Sequence, residues 1–577
     1  MSLRNIGLLV VAALVFATIA FFSAPAKWVP HSWRVTAYEW FGASDYSQSP
    51  ATGEYPLPDP EIICPTDARG WRKAQVIEGV EIEASDGCKP DNPYLVAAAV
   101  KGTNQVSAGT LLSAGLLPDT VTKGRDLDGD GDPDEIHIKL EVLELNGNSP
   151  DLPVPVTTFS IAPGIEPGFW IFAPKSFGMS TANFETRQAN DLLRMPAPVL
   201  RVEQGDKVTV TLENTHYLPH TIHFHGVDHP FSADHGIPHD ETMSHLHGVG
   251  TDGVAETSEM PAMPGNALVY EFQPRQAGTM FYHCHVQANV HILMGMQGMF
   301  VIEENRPNNW VQSINVGAGH VRHRSVAVRE THDREYDLHF QDFFKELGET
   351  IQKHTDPRLT IHEQHRRWDI TDDDADYYLL NGVSFPYTLQ DSLVIVEPDT
   401  KVKMRVLNGG SEGVAFHSHG FRPLVTHLDG IPLSPGNQFQ RDVIWIASAQ
   451  RVDLTLQTTN DGLNNYGEGI WIFHDHREAA QTTDGIYPGG TISAITFESY
   501  LDDNGFPKVH GVDWKKFFTP EYYRKSVPIW LDYDIRGLFG NADVPSGAVV
   551  RFVVFGVAIG GLIGILVGLL TGRRRDR

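Results

Sequence analysis

Four His-X-His pairs constrain this chain more than any other feature: His223/His225, His283/His285, His417/His419 and His474/His476. On a β-strand, residues i and i+2 face the same side, so each pair presents two imidazoles side by side. The spacing repeats. The second pair follows His225 by 58 residues in the first block, and follows His419 by 55 in the second. Each block opens with an alternating apolar and polar segment broken by a turn. These are "APVLRVEQGDKVTVTLENT" at 197–215 and "SLVIVEPDTKVKMRVLNGG" at 392–410. Each segment reads as a hairpin, and the whole pattern predicts an internal duplication. Short strands between Gly/Pro turns favour an all-β chain of tandem Greek-key sandwiches over a parallel sheet.

Eight imidazoles exceed the coordination of one ion and predict a metal cluster. One pair, His283/His285, encloses Cys284 in "HCHVQANVHILMGM". A thiolate with His220, His291 and a weak axial thioether from Met296 is the donor set of a blue-copper electron-transfer site. The other two cysteines, Cys64 and Cys88, lie 24 positions apart in a loop-rich segment. They predict a disulfide made in an oxidising compartment, worth roughly 3 kcal/mol.

With these motifs in place, residues 155–500 resemble the multicopper oxidases. "HTIHFHG" is similar to the family's His-x-x-His-x-His, which implies His220 on type 1 copper, His223 on type 2 and His225 on type 3. "HCH" resembles the family's electron bridge, with Cys284 on type 1 copper and His283 and His285 on the type 3 pair. In the second block, the resemblance implies His417 on type 2 copper and His419, His474 and His476 on type 3. Val414 and Asp475 stand there where a type 1 histidine and cysteine would be, so only the first block holds blue copper. Asn289 stands where the family usually places the second type 1 histidine. A two-residue loop insertion accounts for His291, and keeps Met296, rather than Met294, five residues after it.

The arrangement resembles the two-domain members, small laccases and copper nitrite reductases. It implies four coppers per chain and a homotrimer whose clusters are shared between subunits. The expected activity is one-electron oxidation of a donor coupled to four-electron reduction of dioxygen to water. A copper nitrite reductase is the alternative, but it needs only a three-histidine type 2 site. A copper-handling or cuprous-oxidase protein is the third reading, from the His/Asp/Met-rich loop at 228–248 with Met260 and Met263. In small laccases an acid follows the first His-X-His by nine residues. Asp234 matches it as proton donor, while His229 replaces a tyrosine found near the cluster. The donor itself is not identified by the sequence.

The acidic run "DLDGDGDPDE" spaces Asp126, Asp128, Asp130, Asp132 and Asp134 like the first half of an EF-hand loop. His137 stands at the twelfth position and "EIHIKLEVLEL" reads as strand, so the expectation is calcium in a non-helical loop. Ile6 to Phe22 is apolar and reads as a cleaved signal or a retained anchor. Phe552 to Gly572 is long enough to span a bilayer and precedes "RRRDR". Basic ends place both termini in the cytoplasm and the rest on the periplasmic side of the cell membrane. Gly556, Gly560, Gly564 and Gly568 put a glycine stripe on that helix. The net charge of −27, with no basic domain, excludes nucleic acid as a partner.

The expected division is a signal or anchor at 1–26 and an extra β-rich region at 27–155. The first cupredoxin domain follows at 156–305, then a linker and start of the second domain at 306–376, with an amphipathic helix around Phe343–Lys353. The second cupredoxin domain takes 377–500, a connector 501–547, the transmembrane helix 548–572 and the basic tail 573–577.

Overall fold

The computed structural model describes, with short gaps, residues 75–82, 120–148, 159–175, 194–227, 252–307, 309–323, 331–509 and 512–523, and the backbone of Ser232–Asp234. The chain divides into two units. One, residues 1–53 with 519–577, contributes only the stretch to Tyr523 and its short helix Pro520–Tyr523. The other, residues 54–518, holds everything described below.

Its first strands are β1 (Gln75–Ile77), β2 (Val80–Ile82), β3 (Val121–Lys123), β4 (Glu135–Leu145), β5 (Phe169–Pro174), β6 (Val199–Glu203) and β7 (Lys207–Glu213). There follow β8 (His223–His225), β9 (Ser232–Asp234), β10 (Ala267–Phe272), β11 (Gly278–His283), β12 (Gln297–Glu303) and β13 (Ile314–Asn315). β1 and β2 form a separate hairpin. The rest make a sandwich: one sheet runs β3-β4-β7-β10-β9 with β5 on β4, and the facing sheet runs β13-β6-β12-β11-β8.

The second sandwich uses β14 (Gly319–His323), β15 (Arg334–Phe343), β16 (Tyr377–Leu380), β17 (Val394–Val396), β18 (Lys401–Asn408), β19 (Val414–Ser418) and β20 (Leu424–Leu428). It is completed by β21 (Ile431–Pro432), β22 (Phe439–Gln440), β23 (Val443–Ile446), β24 (Arg451–Gln457), β25 (Ile470–Asp475) and β26 (Ser493–Phe497). Its larger sheet runs β14-β15-β18-β24-β20-β21, with β16 on β15 and β22 on β20. Its smaller sheet runs β17-β26-β25-β19-β23.

The two expected hairpins are not hairpins. β6 and β7 lie in facing sheets, as do β17 and β18, so each turn carries the chain across the sandwich. Burial gives the reason. β7 alternates buried and part-exposed residues, but β6 is buried throughout, because its second face is covered as well. Domain boundaries shift accordingly. β4, inside the region read as extra, pairs in parallel with β7 at the heart of the first sandwich. β15, inside the region read as linker, pairs in parallel with β18 in the second. The expected amphipathic helix is α2 (Lys345–Lys353), which buries Leu347 and Ile351; the preceding Phe343 ends β15 instead.

Between the sandwiches lies a thin apolar layer of Val199, Phe281, Met299, Val301 and Leu407. Beside it, Arg201 and Arg405 are buried with Glu303, Glu335, Asp337 and Asp453, and their ion pairs link the two sandwiches. Cys64, Cys88, the apolar runs at both ends and the glycine stripe lie outside the described residues. Among the described residues, no helix is long and apolar enough to cross a membrane.

Candidate metal centres

The end of β11 builds the first centre. Cys284 follows the strand directly, and its amide donates to the Met296 carbonyl at 3.0 Å, continuing the register that pairs His283 with Gln297. Cys284 and Met296 are therefore cross-strand neighbours, whose side chains share a face. Between them the chain turns through Gln287, held at φ 46°, into the short helix α1 (Ala288–His291). That helix carries His291 back over the cysteine. His220 comes from the other side, on a bridge to Ala262.

Cys284 Sγ lies 3.3 Å from His291 Nδ1 and 3.7 Å from His220 Nδ1. All three residues are fully buried. Ligand bonds of about 2.0–2.3 Å place donor atoms that share one ion about 3.5 Å apart, so this triangle fits a single ion of that size. Of the two candidate thioethers, Met294 Sδ accepts a hydrogen bond from Gln364 Nε2 at 3.5 Å, which sets it apart from Met296.

The remote nitrogens of both imidazoles end on further histidines. His220 Nε2 is 2.9 Å from His216 Nδ1, and His291 Nε2 is 3.2 Å from His365 Nε2. An N–H at each Nε2 leaves Nδ1 with its lone pair facing the thiol. His216 lies 3.8 Å from the Glu144 carboxylate, which accepts from Trp170 Nε1 at 3.1 Å and Tyr217 Oη at 2.5 Å. The Trp170 ring packs edge-on against both His216 and His291. Burial pushes the pKa of His216 down, and those of His220 and His291 well down, so all three are neutral and able to donate a lone pair. Sequence reading missed His216 and His365. The only hints were an extra histidine in "HYLPHTIHFHG" and "HEQH" in a stretch taken for linker.

The second centre uses adjacent antiparallel strands. β8 and β11 pair His223 with His283, which gathers the two His-X-His pairs on one face. Ring centroids of His223 lie 5.5, 5.1 and 5.7 Å from those of His225, His283 and His285. His223 Nδ1 donates to the Asp252 carbonyl and His283 Nδ1 to the Cys284 carbonyl, so each Nε2 is left to accept. Burial lowers the His283 pKa to about 3 and that of His225 to about 4.

The duplicated quartet repeats this down to its carbonyls. His417 pairs with His474 across β19 and β25. His417 Nδ1 donates to Asp442 O at 2.9 Å and His474 Nδ1 to Asp475 O at 3.0 Å. His419 Nε2 and His474 Nε2 face each other at 3.3 Å, and the His476 ring lies tilted to that of His474 with centroids 5.3 Å apart. Where the thiolate would be, Asp475 instead binds the Arg477 guanidinium at 2.8–2.9 Å and the Ala415 amide at 3.0 Å. Val414 is buried in the core there. Among the described residues, no second thiolate site is built.

Metal-competent groups therefore form within each sandwich: His220–Cys284–His291, His223–His225–His283 and His417–His419–His474. The eight histidines come together as one quartet per sandwich, rather than as one cluster. Of the acidic loop, Asp126, Asp128 and Asp134 come together, while Asp130 and Asp132 fall outside that group. Asp234 lies on β9, opposite Val269, and its side chain is outside the described residues, as is His229. Met260 and Met263 are exposed.

Comparison with known proteins follows this geometry. Residues 189–307 match the family described as multicopper oxidase. The chain is 22% identical over 297 residues to Oxidoreductase tpcJ of Aspergillus fumigatus, covering 48% of this chain and 40% of that protein. It is 22% identical over 289 residues to Copper resistance protein A of Pseudomonas syringae pv. tomato, covering 48% and 43%. It thus spans less than half the length of these curated relatives. Among solved structures, it is similar to a blue copper oxidase from Nitrosomonas europaea, with 24% identity, 68% of this chain and 93% of that one covered, and a TM-score of 0.44. The stretch similar to the multicopper oxidases, residues 189–307, is the one that supplies His220, Cys284 and His291.

Proposed function

We propose that this protein is a membrane-anchored oxidase that takes single electrons from a donor and delivers four of them to dioxygen. One observation carries the reading: Cys284 sits in the buried thiolate centre while its two chain neighbours, His283 and His285, point into the histidine quartet. Two peptide bonds join the centres. Bound copper would supply the one-electron redox steps and the dioxygen chemistry. His220, Cys284, His291 and Met296 would hold one ion, His223 and His417 the second, and His225, His283, His285, His419, His474 and His476 the remaining pair. The chain's own task is to keep the buried His220 and His291 neutral, orient the lone pairs of His220, His291, His223, His283, His417 and His474 through their second nitrogens, and keep water from the thiolate. A nitrite reductase would leave the second quartet's matching Nδ1-to-carbonyl bonds without a purpose.

Trimeric assembly is part of the proposal. Val443, Trp445 and Ile472 are 41%, 62% and 40% exposed beside the second quartet, on the strands that carry it or pair with it. Apolar surface at that edge suits burial against the first quartet of another copy. The apolar run at 552–572 with its basic tail is assigned as the anchor, with the sandwiches on the periplasmic side. The exposed thioethers Met260 and Met263 favour cuprous ion as one donor to try, since thioethers suit Cu(I).

Copper analysis with oxygen-consumption assays tests the function, using phenols, metal ions and reduced redox proteins as donors. Cys284→Ser should abolish the intense visible band and donor-driven oxygen uptake while keeping most of the other copper. A variant that stays blue, or a wild-type count near two coppers per chain rather than about four, would sink the proposal.

A further inference from the structure

The acidic loop is backed by a second set of carboxylates that its sequence does not reveal. Gly129 and Gly131, both at positive φ, let the loop curl so that their amides donate to the Asp126 carboxylate at 2.5 and 3.0 Å. Asp128 and Asp134 bring their oxygens to the same spot. His137, at the twelfth position, supplies nothing there, because its Nε2 bonds Thr211 Oγ1 at 2.8 Å. Behind the loop stands the β6–β7 turn, with Glu203 4% and Asp206 1% exposed. Asp132, itself 2% exposed, faces Glu203 directly.

These buried carboxylates are only half satisfied. Asn309 serves Glu203 Oε1 through Nδ2 and Asp132 Oδ2 through its amide, and the Glu203 amide serves Asp206 Oδ2 at 2.7 Å. Glu203 Oε2, Asp206 Oδ1 and Asp130 Oδ2 are buried with no hydrogen-bond partner. Lys123 is the cation facing Asp206, and its ammonium donates to the Val311 carbonyl. Native proteins leave buried carboxylate oxygens unpaired only at a cost that protonation or a bound cation removes.

We propose that the Asp126–Asp134 loop and the Glu203–Asp206 turn together bind calcium. Asp126, Asp128 and Asp134 are the ligands, and the buried, incompletely satisfied Glu203 and Asp206 stand behind them as negative charge that the ion offsets. All three donors are carboxylates, and water would complete the six to eight oxygens that calcium takes in a flexible shell, whereas magnesium demands a tight octahedron. The ion fastens three pieces of chain. These are the β3–β4 connection, the turn between the facing sheets, and the start of the segment leading to the second sandwich, where Asn305 Nδ2 bonds Asp128 Oδ2 at 2.9 Å. Its role is structural, and it stands whether or not the protein reduces dioxygen.

The test uses the full-length copper-loaded protein, stripped of loosely held divalent ions on a chelating resin, with the blue band as a check that copper stays. Calorimetric titration with calcium chloride should show saturable binding below about 1 mM, and a tenfold excess of magnesium should not abolish it. Calcium should raise the melting temperature. Asp126→Ala with Asp128→Ala, on the exposed loop, should remove both effects, and Glu203→Gln should weaken binding at least tenfold. Should Glu203→Gln fail to fold, the loop double variant decides. No binding heat in the wild type, equal melting with and without calcium, or undiminished binding by the double variant overturns the site.

Discussion

At the scale of single residues, the thiolate centre is closed by side chains that bind no metal. His291 is fully buried, and its Nε2 meets His365, a half-exposed residue on the π-helical turn His362–Arg367. His365 is therefore a positioning residue: it accepts the His291 N–H and so raises the basicity of that ligand. His365→Ala should raise the reduction potential of the blue centre and slow donor oxidation on the order of tenfold or more, with copper content unchanged. Redox titration of the blue band reads the first effect directly; an unshifted potential with normal donor kinetics removes His365 from this role. A second residue concerns protons, four of which the proposed reduction of dioxygen to water would consume. Asp234 is the proposed donor, held on β9 beside β10. Asp234→Asn should leave colour and copper intact and slow reoxidation of the reduced enzyme by dioxygen, most at higher pH. Stopped-flow reoxidation that is the same across the pH range excludes it.

At the scale of elements, the β6–β7 turn carries an unusual electrostatic load. Burial raises the Asp206 pKa to about 8, helped by Asp132 and Asp134 and opposed by Lys123. Burial beside Asp132 raises that of Glu203 as well. The sign follows from linkage. A carboxyl with a raised folded pKa binds more protons folded than unfolded, so its contribution is full below the unfolded value near 3.9 and fades as pH rises through the folded one. Without calcium, the melting temperature should therefore fall between about pH 4 and pH 8. Calcium should oppose that fall, stabilising more at pH 8 than at pH 6, and Asp206→Asn should flatten the calcium-free curve. Calorimetric melts at several pH values check this; a calcium effect that shrinks as pH rises contradicts it. The same strands show how far local pattern reaches. "EIHIKLEVLEL" reads as a strand and is β4, because alternation with β-branched residues suits a pleated, half-buried surface. The Gly205-Asp206 turn reads as a hairpin but is a corner between sheets. A turn of this composition serves either path, and burial of the second face of β6 selects between them.

At the scale of the whole molecule, each chain holds two histidine quartets that do not merge, one per sandwich. A cluster shared between copies would unite them. Chains carrying His223→Ala and chains carrying His417→Ala should each be inactive alone. Co-expressed, they should recover a fraction of wild-type oxygen uptake, because some interfaces then pair two intact quartets. Blue absorption should persist in every combination, since neither substitution touches Cys284. Mixed assemblies that fold and stay blue yet show no recovery would favour a cluster made within one chain.

Which side chains gather into metal-competent groups was legible from the chain itself. The two-residue period of a strand sets His223 beside His225 and His417 beside His419 whatever surrounds them, and Cys284 is bonded to both its histidines. The duplication, the all-β class and the absence of a second thiolate site follow from the same local rules. What encloses those ligands was not legible. His216, Glu144 and Trp170 reach the thiolate centre from three strands or loops, and His365 reaches it across 74 positions. Glu203 and Asp206 likewise meet the acidic loop from about seventy positions away. Such contacts depend on sheet order and on the sandwich-to-sandwich packing, which bury a surface from its second side. No repeat period or turn residue encodes that second side, so only the tertiary structure decides it.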